Sequence, residues 1–164
     1  MIMKRVIFSI MLAFCVLNIY SQHISFMGIK LGQPIGVIDR SLQQKGFLRE
    51  NNYGSQSLFI YSGEFWKFKE ARLLVFTNDG IVTAIDVRTT PKLYPGTTFN
   101  NLVKSLNDKY GKYDIRKSND YYIWKMEGGV IEVNYEKEIS VLYMDRTNTD
   151  YIRKYKNHNE MDDL

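Results

Sequence analysis

The most constraining feature of this sequence is an amphipathic segment at residues 97–111. Its apolar side chains recur at intervals of three, four and seven positions, at Phe99, Leu102, Val103, Leu106 and Tyr110. This spacing predicts that they share one face of an α-helix. A threonine at position 97 or 98 can cap its start, and the glycine at position 111 suits its end. Because such a helix is unstable alone in water, it must pack on an apolar layer.

A shorter helix is predicted upstream, where Ile35, Ile38 and Leu42 precede Lys45 and Gly46. The two helices match at an offset of 64 residues, in the pairs Gly32/Gly96, Ile35/Phe99, Ile38/Leu102, Leu42/Leu106 and Lys45/Lys109. Strands are predicted at residues 57–62, 72–78, 81–89, 121–126, 130–135 and 139–144, which are β-branched and aromatic runs. The Asp79-Gly80 pair predicts a hairpin turn. The last strands match at an offset of 58, in the pairs Ile81/Ile139, Ile85/Tyr143 and Arg88/Arg146.

These matches predict an α+β fold built from two tandem α-β repeats. Each repeat has one helix and three or four strands, and together they form one antiparallel sheet with the helices on one face. The first repeat is expected at residues 22–90 and the second at residues 91–148. Residues 149–164 are expected to form a C-terminal helix, with Tyr151, Ile152 and Tyr155 docked, and a frayed tail. Residues 22–164 should be one globular unit.

Residues 1–21 have the pattern of a signal peptide. Lys4 and Arg5 precede an apolar run at residues 6–17, and Ser21 is small enough for cleavage before Gln22. The run is shorter than the roughly 20 residues that span a bilayer, so the mature chain should have no transmembrane span. We expect export to the periplasm or outside the cell. A lipid anchor at Cys15 is the alternative, although the large Phe14 before it disfavours lipidation.

Composition restricts the function classes. The chain has 22 basic and 18 acidic residues, and loss of Lys4 and Arg5 leaves 20 − 18 = +2. This modest charge and the expected export argue against nucleic-acid binding. Without Cys15 the mature chain has no thiol, and its two histidines lie near the chain ends. No catalytic constellation, zinc site or cofactor motif is recognisable. Calcium binding at Asp145, Asn148 and Asp150 is conceivable, but a turn explains these residues better.

The remaining candidates are aromatic. Between its helix and its last strand, the first repeat is about six residues longer than the second, and the extra residues fall within residues 63–70. An insertion into a repeat usually forms a loop. In the second repeat, strand alternation places Tyr122 and Trp124 on one face. An exposed aromatic surface indicates a binding site, whereas buried rings would only fill the core. The predicted partner-binding residues are Phe65, Trp66, Lys67, Phe68, Lys69, Tyr122 and Trp124.

The second repeat opens with LVKSLNDKYG at residues 102–111 and closes with VLYMDRTN at residues 141–148. In these segments and in its duplication, the chain resembles small exported Gram-negative proteins of unassigned function. It is similar in layout to the β-lactamase-inhibitor-protein-like fold and to the small lipoproteins of outer-membrane assembly. The resemblance implies helices on one face of a sheet whose other face is free for protein partners, and it transfers no functional residue.

The sequence therefore favours an exported, non-catalytic binding module for a protein partner. An inhibitor or immunity protein for one enzyme is one alternative. A glycan or peptide hydrolase that uses unidentified carboxylates is the other.

Overall fold

The structure is a computed structural model that describes residues 24–50, 57–91, 95–126 and 128–148. The predicted signal peptide at residues 1–21 and the predicted C-terminal helix at residues 149–164 lie outside these ranges. The described part contains two helices, α1 (Ile35–Gln44) and α2 (Pro95–Tyr110), and neither is long and apolar enough to cross a membrane. Its strands are β1 (Ser25–Phe26), β2 (Ile29–Lys30), β3 (Leu48–Arg49), β4 (Leu58–Phe65), β5 (Phe68–Asn78), β6 (Ile81–Thr89), β7 (Ile115–Ser118), β8 (Tyr121–Met126), β9 (Gly129–Tyr135) and β10 (Ile139–Asp145).

The strands form two sheets. β1 and β2 pair as a small separate sheet, and the other eight form one sheet in the order β3-β4-β5-β6-β10-β9-β8-β7. Every neighbouring pair in the large sheet is antiparallel, so the predicted antiparallel sheet is confirmed. At its centre, β6 and β10 pair in register from Thr89 opposite Ile139 to Ala84 opposite Met144.

The predicted fold class, two tandem α-β repeats, is wrong. The described chain is mostly one large eight-stranded sheet with a small two-stranded sheet and only two helices. The physical reason is that β6 and β10 continue one hydrogen-bonded ladder through the middle of the sheet. Side chains from both halves of the chain also share one hydrophobic cluster. The helices differ in length, with 10 residues in α1 and 16 in α2. The fold is a single sheet-centred unit.

The local predictions for the two helices are confirmed. Ile38 and Leu42 are buried on α1, and Phe99 and Leu106 are buried on α2. Both helices pack these side chains into the cluster on one face of the large sheet. We call this face the helix face and the opposite one the second face. The tight β5–β6 hairpin is also confirmed, because Asp79 and Gly80 both have positive φ, 49° and 76°.

Residues 63–70 are not the predicted loop. They continue β4 as far as Phe65, turn, and begin β5 at Phe68, so this segment lengthens a regular hairpin. Phe47 packs over Gly63 near the end of β4. A Cβ atom on Gly63 would lie 2.5 Å from the Phe47 ring, which is closer than atoms can approach. This packing holds the end of β4 against the core.

Candidate functional site

The β4–β5 hairpin ends in a two-residue turn that carries a tryptophan. Phe65 and Phe68 form the last cross-strand pair, so Trp66 and Lys67 make the turn. Trp66 has a φ of 54°. The favoured two-residue hairpin turns require positive φ at this first position, which glycine or asparagine normally occupies. A bulky residue there costs on the order of 1 kcal/mol or more. The fold thus holds a large ring at a position where glycine would adopt the same backbone conformation without strain.

The rings around this turn are two buried phenylalanines and the half-buried Trp66, which packs against the core cluster. Phe65 and Phe68 are buried, and the Phe65 ring stacks on Phe26 with centroids 5.7 Å apart. Trp66 is half-buried, with its ring centroid 5.5 Å from that of Phe68. Lys67 Nζ lies 5.1 Å from the Trp66 ring centroid, within the range of a cation–π contact. We call residues 65–69 the hairpin tip.

Lys69 adds a second cation to the hairpin tip. Its Nζ lies 3.5 Å from Glu64 Oε1, and both side chains are mostly exposed. An exposed ion pair of this kind contributes at most about 1 kcal/mol, so it can open to meet a partner's charge at little cost.

A groove adjoins the hairpin tip and follows the ends of β5, β6 and β10. It consists of three neighbouring cavities of about 190, 390 and 550 Å³. The first lies between residues 67–70 and residues 89–91, the second includes Arg72, Leu74 and Arg88, and the third extends to Asn134 and residues 136–138. Thr90 lines all three. We call this surface the end groove.

Arg88 is the fixed charge at the centre of the end groove. Its Nε donates to Asp86 Oδ2 at 2.8 Å, and its guanidinium also donates to Glu138 Oε1 at 3.2 Å. The hydrogen bond to Asp86 is the main cause that raises the pKa of Arg88 above its ordinary value. Ser140 Oγ donates to Asp86 Oδ1 at 2.7 Å and holds that carboxylate in place. The end groove therefore offers an ordered pattern of both charges, which suits a polar protein surface.

Tyr122 and Trp124 lie apart from the hairpin tip. They sit on the helix face, where Tyr122 is 7% exposed and Trp124 is 1% exposed. The Tyr122 ring lies 6.0 Å from Phe99 of α2, and Trp124 Nε1 donates to Gly111 O at 2.9 Å. Since β8 is four strands away from β5, the two groups are separated by roughly 19 Å. The structure brings residues 65–69 together and leaves Tyr122 and Trp124 in the core.

Among the described residues, three tyrosines have a raised pKa, and none of them lines the end groove. Burial is the main cause that raises the pKa of Tyr61, Tyr121 and Tyr143 above the ordinary value of 10.0. Hydrogen bonds to carboxylates add to this effect, from Tyr61 to Asp39 and from Tyr121 to Glu132. These phenols stay protonated at neutral pH.

Asp145 and Asn148, two of the three oxygen-bearing residues considered for calcium, flank a turn. Asp145 Oδ1 accepts hydrogen bonds from the Thr147 amide at 2.9 Å and from its hydroxyl at 2.6 Å. Asn148 Nδ2 donates to Thr83 Oγ1 at 2.9 Å, and Asp150 lies outside the described residues. Within residues 24–50, 57–91, 95–126 and 128–148, no three His, Cys, Asp or Glu side chains are grouped as metal ligands.

The end groove was not predicted from the sequence. Arg88 and Thr90 follow each other closely at the end of β6, but residues 136–138 belong to another hairpin. The available signal was the pair of opposite charges Asp86 and Arg88, two positions apart in a strand that is otherwise uncharged and mostly buried. Comparisons with protein-family models, curated proteins and solved structures find no match for this chain.

Proposed function

We propose that this protein is an exported, non-catalytic module that binds a protein partner with the hairpin tip and the adjoining end groove. The compartment is the periplasm or the outside of the cell. The observation that carries the proposal is Trp66, whose ring occupies a turn position at positive φ. Non-glycine residues held in such conformations cluster at functional sites, where the interaction they make offsets their cost.

The chemistry of the hairpin tip supports a protein partner. Tryptophan leads among the residues that dominate protein interfaces, because its ring buries much area with few rotatable bonds. Lys67 and Lys69 beside it are exposed and can meet acidic side chains of a partner. Phe65 and Phe68 are anchored in the core, so the turn presents the Trp66 ring from a rigid base. The end groove continues this surface and can accept a polar segment of the same partner.

The test separates binding from folding at Trp66. We would replace Trp66 by glycine, which tolerates the positive φ, and use the protein as bait in an envelope extract with quantitative mass spectrometry. We expect a specific protein partner that the wild type retains and that Trp66→Gly loses. With that partner purified, loss of an interface tryptophan should cost about 2 kcal/mol or more, roughly thirtyfold in Kd. The thermal midpoint should stay within a few degrees, because relieved strain offsets the lost contact with Phe68.

The matched control is Leu48→Ala. Leu48 is 72% exposed on the edge strand β3. The substitution therefore also removes exposed apolar surface, but at another site. It should keep the partner. A partner equally retained by both variants, or none enriched by the wild type, contradicts the proposed function. A fall of roughly 10 °C in the Trp66→Gly midpoint would show that Trp66 acts as core, since such a shift corresponds to several kcal/mol.

A further inference from the structure

The end of α2 and the edge strand β7 carry a concentration of positive charge. Residues 109–117 contain Lys109, Lys112, Arg116 and Lys117 but only one acid, Asp114, which gives 4 − 1 = +3. The whole chain has a net charge of +4. All four basic residues are exposed. We call these four residues the basic edge.

Within the described residues, no acidic side chain forms an ion pair with the basic edge. The ion pairs found there are made by basic side chains that all precede α2, namely Arg49, Lys69, Arg72 and Arg88. Asp114 is the acid nearest in sequence, and its Oδ2 accepts a hydrogen bond from the amide of Lys125. The positive charge of the basic edge is therefore open to an anionic ligand.

Aromatic rings hold two of these cations at the surface. Lys112 Nζ lies 6.0 Å from the ring centroid of Tyr113, and Arg116 Cζ lies 5.6 Å from that of Tyr122. The two rings pack edge to face with their centroids 4.8 Å apart, so they connect the two cations. Arg116 Nε also donates to Ser118 O at 3.3 Å. The basic side chains thus lie along the rings and keep their charged ends in water.

Protection against strand addition explains only part of the basic edge. Charges on an edge strand prevent pairing with another chain, and Arg116 and Lys117 have this effect on β7. Lys109 lies in the last turn of α2, where it also complements the helix dipole, and Lys112 lies between α2 and β7. These two lysines extend the charge beyond the strand and make it a surface.

We propose that the basic edge makes a peripheral contact with an anionic phospholipid membrane. Each basic residue near such a membrane strengthens binding about fivefold through attraction to the charged headgroups. A fluid layer of phosphates needs several exposed cations on one surface and no fitted cavity. The proposed export places the chain in a compartment that adjoins a membrane.

The same contacts disfavour two other anionic occupants. A sugar polymer would stack on exposed rings, but the rings of Tyr113 and Tyr122 already contact each other and the cations of Lys112 and Arg116. An extended acidic peptide would pair with β7, where the ladder has a register shift next to Arg116.

Contact through the basic edge leaves the hairpin tip free. β7 ends the large sheet, and five strand spacings, roughly 24 Å, separate it from β5. The protein can therefore rest on a membrane and hold its partner at the same time. The inference uses the proposed compartment but not the hairpin tip, so the two proposals can fail separately.

The first test is sedimentation of the full chain with vesicles at low ionic strength. One set of vesicles is phosphatidylcholine alone, and the other contains about 30% phosphatidylglycerol. We expect binding to the anionic vesicles only. Binding should weaken about tenfold or more in 0.5 M salt, because charges are then screened beyond about 4 Å. Equal binding to neutral vesicles, or binding that salt does not weaken, would overturn the proposal.

The second test removes charge from the basic edge. Lys112→Gln with Lys117→Gln should weaken binding to the anionic vesicles about tenfold or more. The matched control, Lys67→Gln with Lys69→Gln, removes the same charge at the hairpin tip and should stay within about twofold of the wild type. Equal losses in both would mean that only net charge matters and would overturn the proposal. If circular dichroism shows that the first variant is unfolded, Lys109→Gln with Lys112→Gln replaces it.

The third test compares other anions at the same ionic strength. Polyglutamate and dextran sulfate stand in for an acidic protein and an acidic polysaccharide, and both should bind more weakly than the vesicles per unit of charge. Tighter binding to either polymer, or release from the vesicles by inorganic phosphate alone, would overturn the proposal. Trp66→Gly should keep vesicle binding, so that loss of the protein partner and loss of the membrane contact are distinguished.

Discussion

Trp124 offers the sharpest test of how the core is built, through the substitution Trp124→Phe. The substitution removes the hydrogen bond from Nε1 to Gly111 O, which is 2.9 Å long and worth about 1 kcal/mol net. The smaller ring also leaves a void on the order of 40 Å³, which costs about 1 kcal/mol at 24 cal/mol per Å³, and lost apolar transfer adds a similar amount. We expect a total loss of about 2–4 kcal/mol in the free energy of unfolding.

The assay is thermal unfolding by circular dichroism, with urea unfolding as a second measurement. For a domain of this size the expected loss lowers the thermal midpoint by about 7–14 °C, and the urea midpoint falls at unchanged slope. Trp66→Phe is the matched control, because it makes the same chemical change at the hairpin tip and should cost less than about 1 kcal/mol. If the two variants have the same midpoint, Trp124 does not fill the core as the structure indicates.

Two further predictions concern pH and export. Burial raises the pKa of Tyr143, so the unfolded chain ionises first as the pH passes the ordinary tyrosine value of 10.0, and the free energy of unfolding should fall above it. Urea unfolding at about pH 8 and pH 11 should show this loss, and Tyr143→Phe should reduce it; an unchanged difference would contradict the assignment. For export, mass spectrometry of the protein from its native envelope should find an N-terminus at or near Gln22 without lipid. An intact Met1 or a diacylated Cys15 would refute it.

The parts of the fold that depend on neighbouring residues were predictable from the sequence. The helix at Pro95–Tyr110 follows from its apolar spacing, and the β5–β6 turn follows from Asp79-Gly80, because both are determined within a few residues. The edge strands β3 and β7 were not predicted. They have two and four residues and are mostly exposed, so they show no alternation of apolar and polar side chains.

Long-range pairing was harder to predict. The pairing of β6 with β10 joins residues 50 to 60 positions apart, and nothing in either strand alone specifies its neighbour. For the same reason the apparent repeats led to the wrong fold class. Within residues 63–70, the extra length suggested a loop, but the pair Phe65 and Phe68 extends the hairpin ladder and buries both rings. Because Phe65 and Phe68 are buried, Trp66 in the turn is the ring of this segment that we propose for binding. Its positive φ is visible only in the structure.

The arrangement of the sheet also explains why a partner should meet the protein at one end of the strands. The helix face is covered by α1 and α2, and on the second face Ala84, Ile123, Val130 and Met144 are buried. The edges are poor templates for an added strand, because β3 has only two residues and β7 carries Arg116, Lys117 and a register shift. Short, charged and irregular edges are features that prevent strand addition. The hairpin tip and the end groove lie outside all these covered regions, which is why we propose them, and not a sheet face or edge, as the binding surface for the protein partner.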